Sequence, residues 1–294
     1  MASCQVVTFE DDSTVTNPST GEKTMHFKLS TYSMNSMDEM PDDGDDTRNA
    51  QGAITRAPIK DATDHILLGI YDDKNHLVDT LIYQNKSDNS LPDYGTITHT
   101  LKYGKYSILA LGWNGDQKCI VHRHDSISFS EDWVPHTFLY RQNIVVSESY
   151  SDTRSLSLKR CVAKFTIKFE DKYIPEGLSY FVTRFSGGGC TLNSETKYCA
   201  EIQDVTRKLS LTMEPSKLKE LSSYCFLPSD GANIVVNVTA YDANDNVLAD
   251  RTFEKVPMKI NYITTYTGNF FAYGNVEGAV DFDITYEGEI SDVF

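Results

Sequence analysis

The 294-residue chain has no stretch approaching the ~20 apolar residues that a membrane-spanning helix needs. It has no local cluster of Lys and Arg either, and a formal net charge of −15 repels phosphate backbones, so nucleic acid is excluded as a partner. None of its cysteines forms a Cys-x-x-Cys pair, which removes the common structural zinc pattern. Gly-x-Ser-x-Gly, His-Glu-x-x-His and Cys/His catalytic spacings are missing, so no catalytic residues are expected and the chain is read as a non-enzyme. Ser186-Gly187-Gly188-Gly189 is followed by neither Lys-Ser/Thr nor a helical pattern. It makes no phosphate cradle, and no cofactor is expected.

Two partial metal patterns also fall short. Asp242-Ala243-Asn244-Asp245-Asn246 starts like a calcium loop but has Val247 in place of the central Gly and Phe253 in place of the closing Glu, so it reads as a hairpin turn. His122 and His124 are two apart on an expected strand and share a face, but no third ligand is placed by sequence. The acidic run Asp42 to Asp46 reads as a solvated loop. No metal site is expected.

What is present points to pleated sheet. Apolar residues make up 40% of the chain, with 17 Tyr and 14 Phe, a composition that suits half-buried strands and a packed core. Strands are expected over Met25–Leu29, which alternates apolar and polar positions, over the apolar His65–Tyr71 and its return Leu77–Tyr83, and over Thr96–Leu101, Tyr106–Trp113 and Thr137–Val146. One long strand is expected from Leu156 to Phe169, with Cys161, Ala163, Phe165, Ile167 and Phe169 on one face. Leu209–Met213, Ile234–Ala240 and Val280–Tyr286 repeat the pattern, and Pro215–Ser223 alone reads as helical. Many short strands with turns between them make the chain an all-β protein of two sandwiches. The divisions are an acidic tether over 1–24, an N-terminal sandwich over 25–152 and a C-terminal sandwich over 153–294. Tyr71-Asp72-Asp73-Lys74-Asn75-His76 and Tyr241-Asp242-Ala243-Asn244-Asp245-Asn246 echo one another, which suggests two domains of one type, although hairpins converge on such turns.

Near the N-terminus, Ala2-Ser3-Cys4 precedes a polar, acidic segment. A small residue before Cys is what a trimmed lipoprotein signal leaves, which makes Cys4 the candidate lipidation site; the alternative is an ordinary thiol. Cys190 and Cys199 flank a short polar turn and are a candidate disulfide in an oxidising compartment. Cys161 reads as a small core residue.

An ordered series of motifs now carries a family resemblance. Ile66-Leu67-Leu68-Gly69-Ile70-Tyr71-Asp72 is a strand entering a Tyr-Asp turn, and Tyr103-Gly104-Lys105-Tyr106 runs to the aromatic Trp113. Leu158-Lys159-Arg160-Cys161-Val162-Ala163-Lys164-Phe165 is similar to an Arg-x-Val-Ala-Lys domain opening, and Asn261 to Phe270 contains a late Thr267-Gly268. In this order they resemble the fimbrillin-associated anchor and minor subunits of Bacteroidales type V pili. The resemblance spans roughly Met25 to Tyr273. It implies two tandem transthyretin-like Greek-key β-sandwich domains and a lipid on the first mature Cys, matched by Cys4. It further implies location in the outer membrane and fimbrium, and fimbrillin shaft or accessory pilus subunits as partners. The implied role is to attach the pilus, as anchor or tip subunit, and to limit its length, joining by strand addition. A surface glycan-binding lipoprotein is the alternative, with Trp113 and Trp133 as its candidate stacking platforms.

Overall fold

The structure, a computed structural model, describes residues 21–32, 56–271 and 283–285. Cys4 and the acidic run Asp42 to Asp46 lie outside the described residues.

The first unit comprises β1 (Glu22–Tyr32), β2 (Arg56–Pro58), the one-turn helix α1 (Ile59–Ala62), β3 (His65–Asp72), β4 (Ile82–Asn85), β5 (Thr96–Lys102), β6 (Gly104–Trp113), β7 (Cys119–Arg123), β8 (Ser126–Phe129), β9 (Thr137–Val146) and β10 (Thr153–Arg160). The second comprises β11 (Ala163–Phe169), β12 (Leu178–Ser186), β13 (Leu192–Asn193), β14 (Val205–Ser210), β15 (Glu220–Cys225), β16 (Gly231–Asp242), β17 (Val247–Lys259), β18 (Ile263–Gly268) and β19 (Asp283–Thr285). The protein is all-β, as its composition and alternation predict.

Both units are sandwiches with one strand order. In the first, β4-β3-β6-β9 faces β5-β1-β10, with β2 also on β1 and the two layers joined where β9 pairs with β10; in the second, β14-β12-β16-β17 faces β15-β11-β18, with β19 added at the edge. Counting only the seven strands of each sandwich, strands of the same rank take the same place. The first and last strands are parallel neighbours in both cases: β1 with β10, His26 opposite Thr153, and β11 with β18, Lys164 opposite Ile263.

The sheet β4-β3-β6-β9 is buried on both faces over much of its area, which explains why β3 and β6 carry near-continuous apolar runs instead of strict alternation. Ile66, Leu68, Ile70, Ile108 and Ala110 face the first core with Met25, Phe27, Leu156 and Leu158. Leu67, Tyr71, Leu109, Leu111 and Trp113 face the other way. There they join one cluster with Ile127 and Phe129 of β8 and with Phe165, Phe181 and Phe185 of the second sandwich. One hydrophobic core therefore runs across the junction.

Two expectations about local structure are corrected. The single strand expected over Leu156–Phe169 is two. β10 pairs with β1 and then, at Lys159 and Arg160, with β9; the chain passes through Cys161-Val162 and enters the other sandwich as β11. Buried positions change from even (Leu156, Leu158) to odd (Ala163, Phe165, Ile167), so the face swaps at the crossing. β10, which follows the expected boundary after residue 152, has its ladder partners in the first sandwich. The expected helix over Pro215–Ser223 is one 3-10 turn, Pro215–Lys217, followed by β15. Leu218 and Leu221 are both buried, but as a turn exit and a strand residue, where a three-residue spacing is fortuitous.

The echoed turns are superposable in chemistry. Asp72 Oδ1 accepts from the amides of Lys74 and His76, at 2.9 and 2.8 Å, and Asn75 has φ 63°. Asp242 Oδ1 accepts from the amides of Asn244 and Asn246, both at 2.8 Å, and Asp245 has φ 63°. Yet one turn follows β3, second in its sandwich, and the other follows β16, fifth in its own. The echo is convergent turn chemistry at non-equivalent hairpins.

Candidate functional site

The junction between the sandwiches carries two groups of interacting charged and titratable side chains. Its scaffold is a three-stranded sheet, β13-β8-β7, built from a hairpin of the first unit and a strand of the second: Leu192 pairs with Ile127 and Asn193 with Ser126. The hairpin turns through His124-Asp125. A register shift between Val121 and Arg123 breaks the alternation at His122, as a bulge does. His122 consequently turns to Ser128, Nε2 to Oγ 2.8 Å, while His124 points to Glu195, Nε2 to Oε1 3.4 Å. The shared face expected for the two histidines does not form.

Glu195 is presented by a tight turn after β13. Asn193 Oδ1 accepts from the amides of Glu195 and Thr196, at 2.9 and 3.0 Å, and Lys197 takes φ 67°. The Ser194 amide donates to Asp125 O at 2.8 Å, tying this turn to the hairpin. Arg141 of β9 completes the knot: its guanidinium donates to His124 O, to Ser194 Oγ at 2.8 Å and to Glu195 Oε1 at 3.4 Å. Burial lowers the Arg141 pKa, with Glu195 opposing the shift. His124, Asp125 and Glu195 each offer one ligand atom, all within 4.8 Å of one another, so this group could hold a metal ion.

A second junction cluster is cationic and aromatic. Arg160 Nε donates to His136 Nε2 at 2.5 Å and Arg160 Nη1 to Asn261 Oδ1 at 2.8 Å. The His136 ring stacks on Tyr224 with centroids 5.3 Å apart. Burial, helped by the charges of Arg160 and Lys164, pushes the His136 pKa down to about 3, so the ring is neutral and its Nε2 accepts. Burial likewise pushes Arg160 and Arg207 down to about 10.

The remaining candidates disperse. Trp113 is a core residue: its indole donates to Gln117 O at 2.9 Å, and its ring lies between His65 and Phe129. Trp133 has the Arg207 guanidinium 3.8 Å over its ring, so that face is covered. Cys190 and Cys199 are free thiols, both pushed up by burial. Cys190 Sγ contacts Asp132 Oδ1 at 3.6 Å and Gln203 Nε2, whereas Cys199 lies under Gly189. That approach explains the last glycine of the run: a Cβ on Gly189 would sit 2.5 Å from Glu201 O and 2.6 Å from Cys199 Cβ. Of the Val280–Tyr286 segment, Asp283–Thr285 is described, as the edge strand β19 antiparallel to β18. Among the described residues no helix is long and apolar enough to cross a membrane.

The sequence pattern of a family of unknown function, DUF6562, matches residues 135–293, just over half of the chain. No curated protein matches. Among solved structures, a candidate adhesin from Bacteroides ovatus is 10% identical, with a TM-score of 0.52, covering 85% of this chain and 92% of its own. A candidate polysaccharide-binding protein (DUF1812) from Bacteroides thetaiotaomicron is also 10% identical, with a TM-score of 0.50, covering 85% of this chain and 91% of its own. A fimbrial assembly protein from Parabacteroides distasonis, 12% identical with coverages of 85% and 92%, matches at a TM-score of 0.38 and carries no argument. At these identities the likeness shows the fold alone.

Proposed function

The chain belongs to DUF6562, a family of unknown function, and we propose that it is a surface subunit of a fimbrium. In this reading it is held in the outer membrane by lipid on Cys4, anchors a pilus (or sits in it as a minor or tip subunit) and limits its length. It binds shaft or accessory subunits by strand addition and has no catalytic step. The repeated strand order supports the transthyretin-like part of the reading. The adhesin name of the Bacteroides ovatus neighbour supports a role at the cell surface.

One observation carries the proposal: each sandwich joins its first and last strands as parallel neighbours. A lipid tether pulls β1 from its N-terminal end, and the second sandwich pulls β10 from its C-terminal end. Parallel strands loaded this way are sheared, so the ladder from His26–Thr153 to Thr31–Leu158 shares the load instead of opening one bond at a time. The geometry recurs between β11 and β18, ahead of the C-terminal segment. The continuous core and the β13-β8-β7 sheet transmit force between the units. A partner strand has an edge to join at β19 or β15.

The alternative is a surface glycan-binding lipoprotein, in keeping with the name of the Bacteroides thetaiotaomicron neighbour. Neither tryptophan favours it, since Trp113 is buried and Trp133 is covered on one face by Arg207. The full-length chain, immobilised, is expected to capture fimbrillin subunits and to give no signal on a glycan array. The opposite pair of results would replace the anchor by the glycan reading.

A further inference from the structure

We propose that His124, Asp125 and Glu195 bind one divalent cation of the zinc class, clamped between the two sandwiches. The donor set, an imidazole nitrogen and two carboxylate oxygens, is one that zinc accepts. Three protein ligands leave one position of a tetrahedral site for water. With metal–ligand bonds of about 2.0–2.2 Å, ligand atoms at the corners of a tetrahedron are about 3.4 Å apart. His124 Nε2 and Glu195 Oε1 are already 3.4 Å apart. All three ligand atoms fall within 4.8 Å of one another, so closing the site takes about an ångström of side-chain rotation.

The backbones that carry the ligands are tied together without the metal. The Ser194 amide joins the Glu195 turn to the His124-Asp125 turn, and Arg141 bonds both. Arg141, with its side chain only 10% exposed, also touches Glu195 Oε1, the outer contact that a ligating carboxylate commonly has.

Asp125 supplies a second, independent observation. Its Oδ1 is shut off from solvent and accepts no hydrogen bond. Arg123 Nε lies 3.2 Å away but off the hydrogen-bond line, on a side chain that is 69% exposed. Asp125 Oδ1 is thus paired with a cation but not hydrogen-bonded, on a side chain that is 17% exposed, and a metal would take the place of Arg123 once that side chain turns to solvent. The two carboxylates then balance the charge of the metal, and Arg141 stays in place. Glu195, about half exposed, leaves the site open on one side for entry. Among the described residues the other His-carboxylate contact, His76 with Asp72, is a two-residue pair on an exposed turn with no third ligand. The site joins the hairpin of one sandwich to a turn of the other, so an occupied site would lock their junction. It does not depend on what the protein binds at its edges.

Cobalt(II) and zinc are the probes, added to the full-length chain. One equivalent should bind. Cobalt should give the visible bands of a four-coordinate site without thiolate charge transfer in the near-ultraviolet, and zinc should raise the melting temperature. His124→Gln and Glu195→Gln should each weaken binding by at least about tenfold and abolish the thermal shift. Both variants should keep the far-ultraviolet circular dichroism and metal-free melting temperature of the parent. Asp125→Asn, which keeps the shape of the side chain, is the third arm and should weaken binding likewise. No binding at millimolar metal overturns the proposal. So does affinity unchanged in all three variants, or a thiolate band, which would place the metal on cysteine instead.

Discussion

Replacing Phe129 by Ala tests whether the two sandwiches are one cooperative unit. Phe129 ends β8 and is 1% exposed. Its ring meets Trp113 edge-on at 5.7 Å, and it belongs to the cluster that also holds Phe165, Phe181 and Phe185 of the second sandwich. Truncating a buried Phe to Ala costs about 3–5 kcal/mol, the lost transfer energy plus the cavity left behind. Of that, about 0.5–1.5 kcal/mol belongs to the aromatic pair. Domain stabilities run to about 5–15 kcal/mol, so the loss is a large fraction of the whole. Because the residue lies between the units, the loss should be felt by both. Guanidinium unfolding followed by tryptophan fluorescence and by far-ultraviolet circular dichroism should give one coincident transition in the parent. In Phe129→Ala that transition should move to lower denaturant with its slope unchanged. Phe27→Ala, in the first core alone, should shift the same single transition. The reasoning is refuted if the parent unfolds in two separate steps and Phe129→Ala moves only one. A loss below about 1 kcal/mol would refute it equally.

Stability should fall as the solution is acidified from pH 6.5 towards 3, because the unfolded chain takes up a proton on His136 that the folded chain refuses. The slope from this residue should approach about 1.4 kcal/mol per pH unit, and His136→Gln should remove it; an unchanged slope in the variant contradicts a neutral, buried ring. Cys190 and Cys199, free thiols in this structure, are expected to be linked in exported protein when unreduced peptides are read by mass spectrometry, a bond worth about 2–3 kcal/mol in a loop this short. Two free thiols after export would refute the pairing.

Much of the fold is legible in the chain. Met25, Phe27 and Leu29 fall on one face of β1, and Thr137–Val146 coincides with β9, because one-sided burial writes a period of two. The break inside Leu156–Phe169 was also written, in the swap from even to odd buried positions, but it is outweighed by the long alternation that follows. Pro215 and the Leu218/Leu221 spacing imitate a helix because local signals cannot show that Glu220–Cys225 has a ladder waiting in β11. The junction is the least legible part. His124 is visible as a candidate ligand, but Glu195 comes from the turn after β13 and Arg141 from β9. Only the pairing of β13 with β8 brings them together. Trp113 and Trp133 invite a glycan-binding reading, because sequence cannot distinguish an aromatic in a twice-covered sheet from one on an open face.

The most direct test of the fimbrial reading is to measure pilus length and retention in cells that produce the precursor with Cys4→Ser. The account predicts that the protein leaves the membrane fraction, and that pili grow longer and are shed into the medium. Membrane retention unchanged, with pili of normal length still attached, would contradict it.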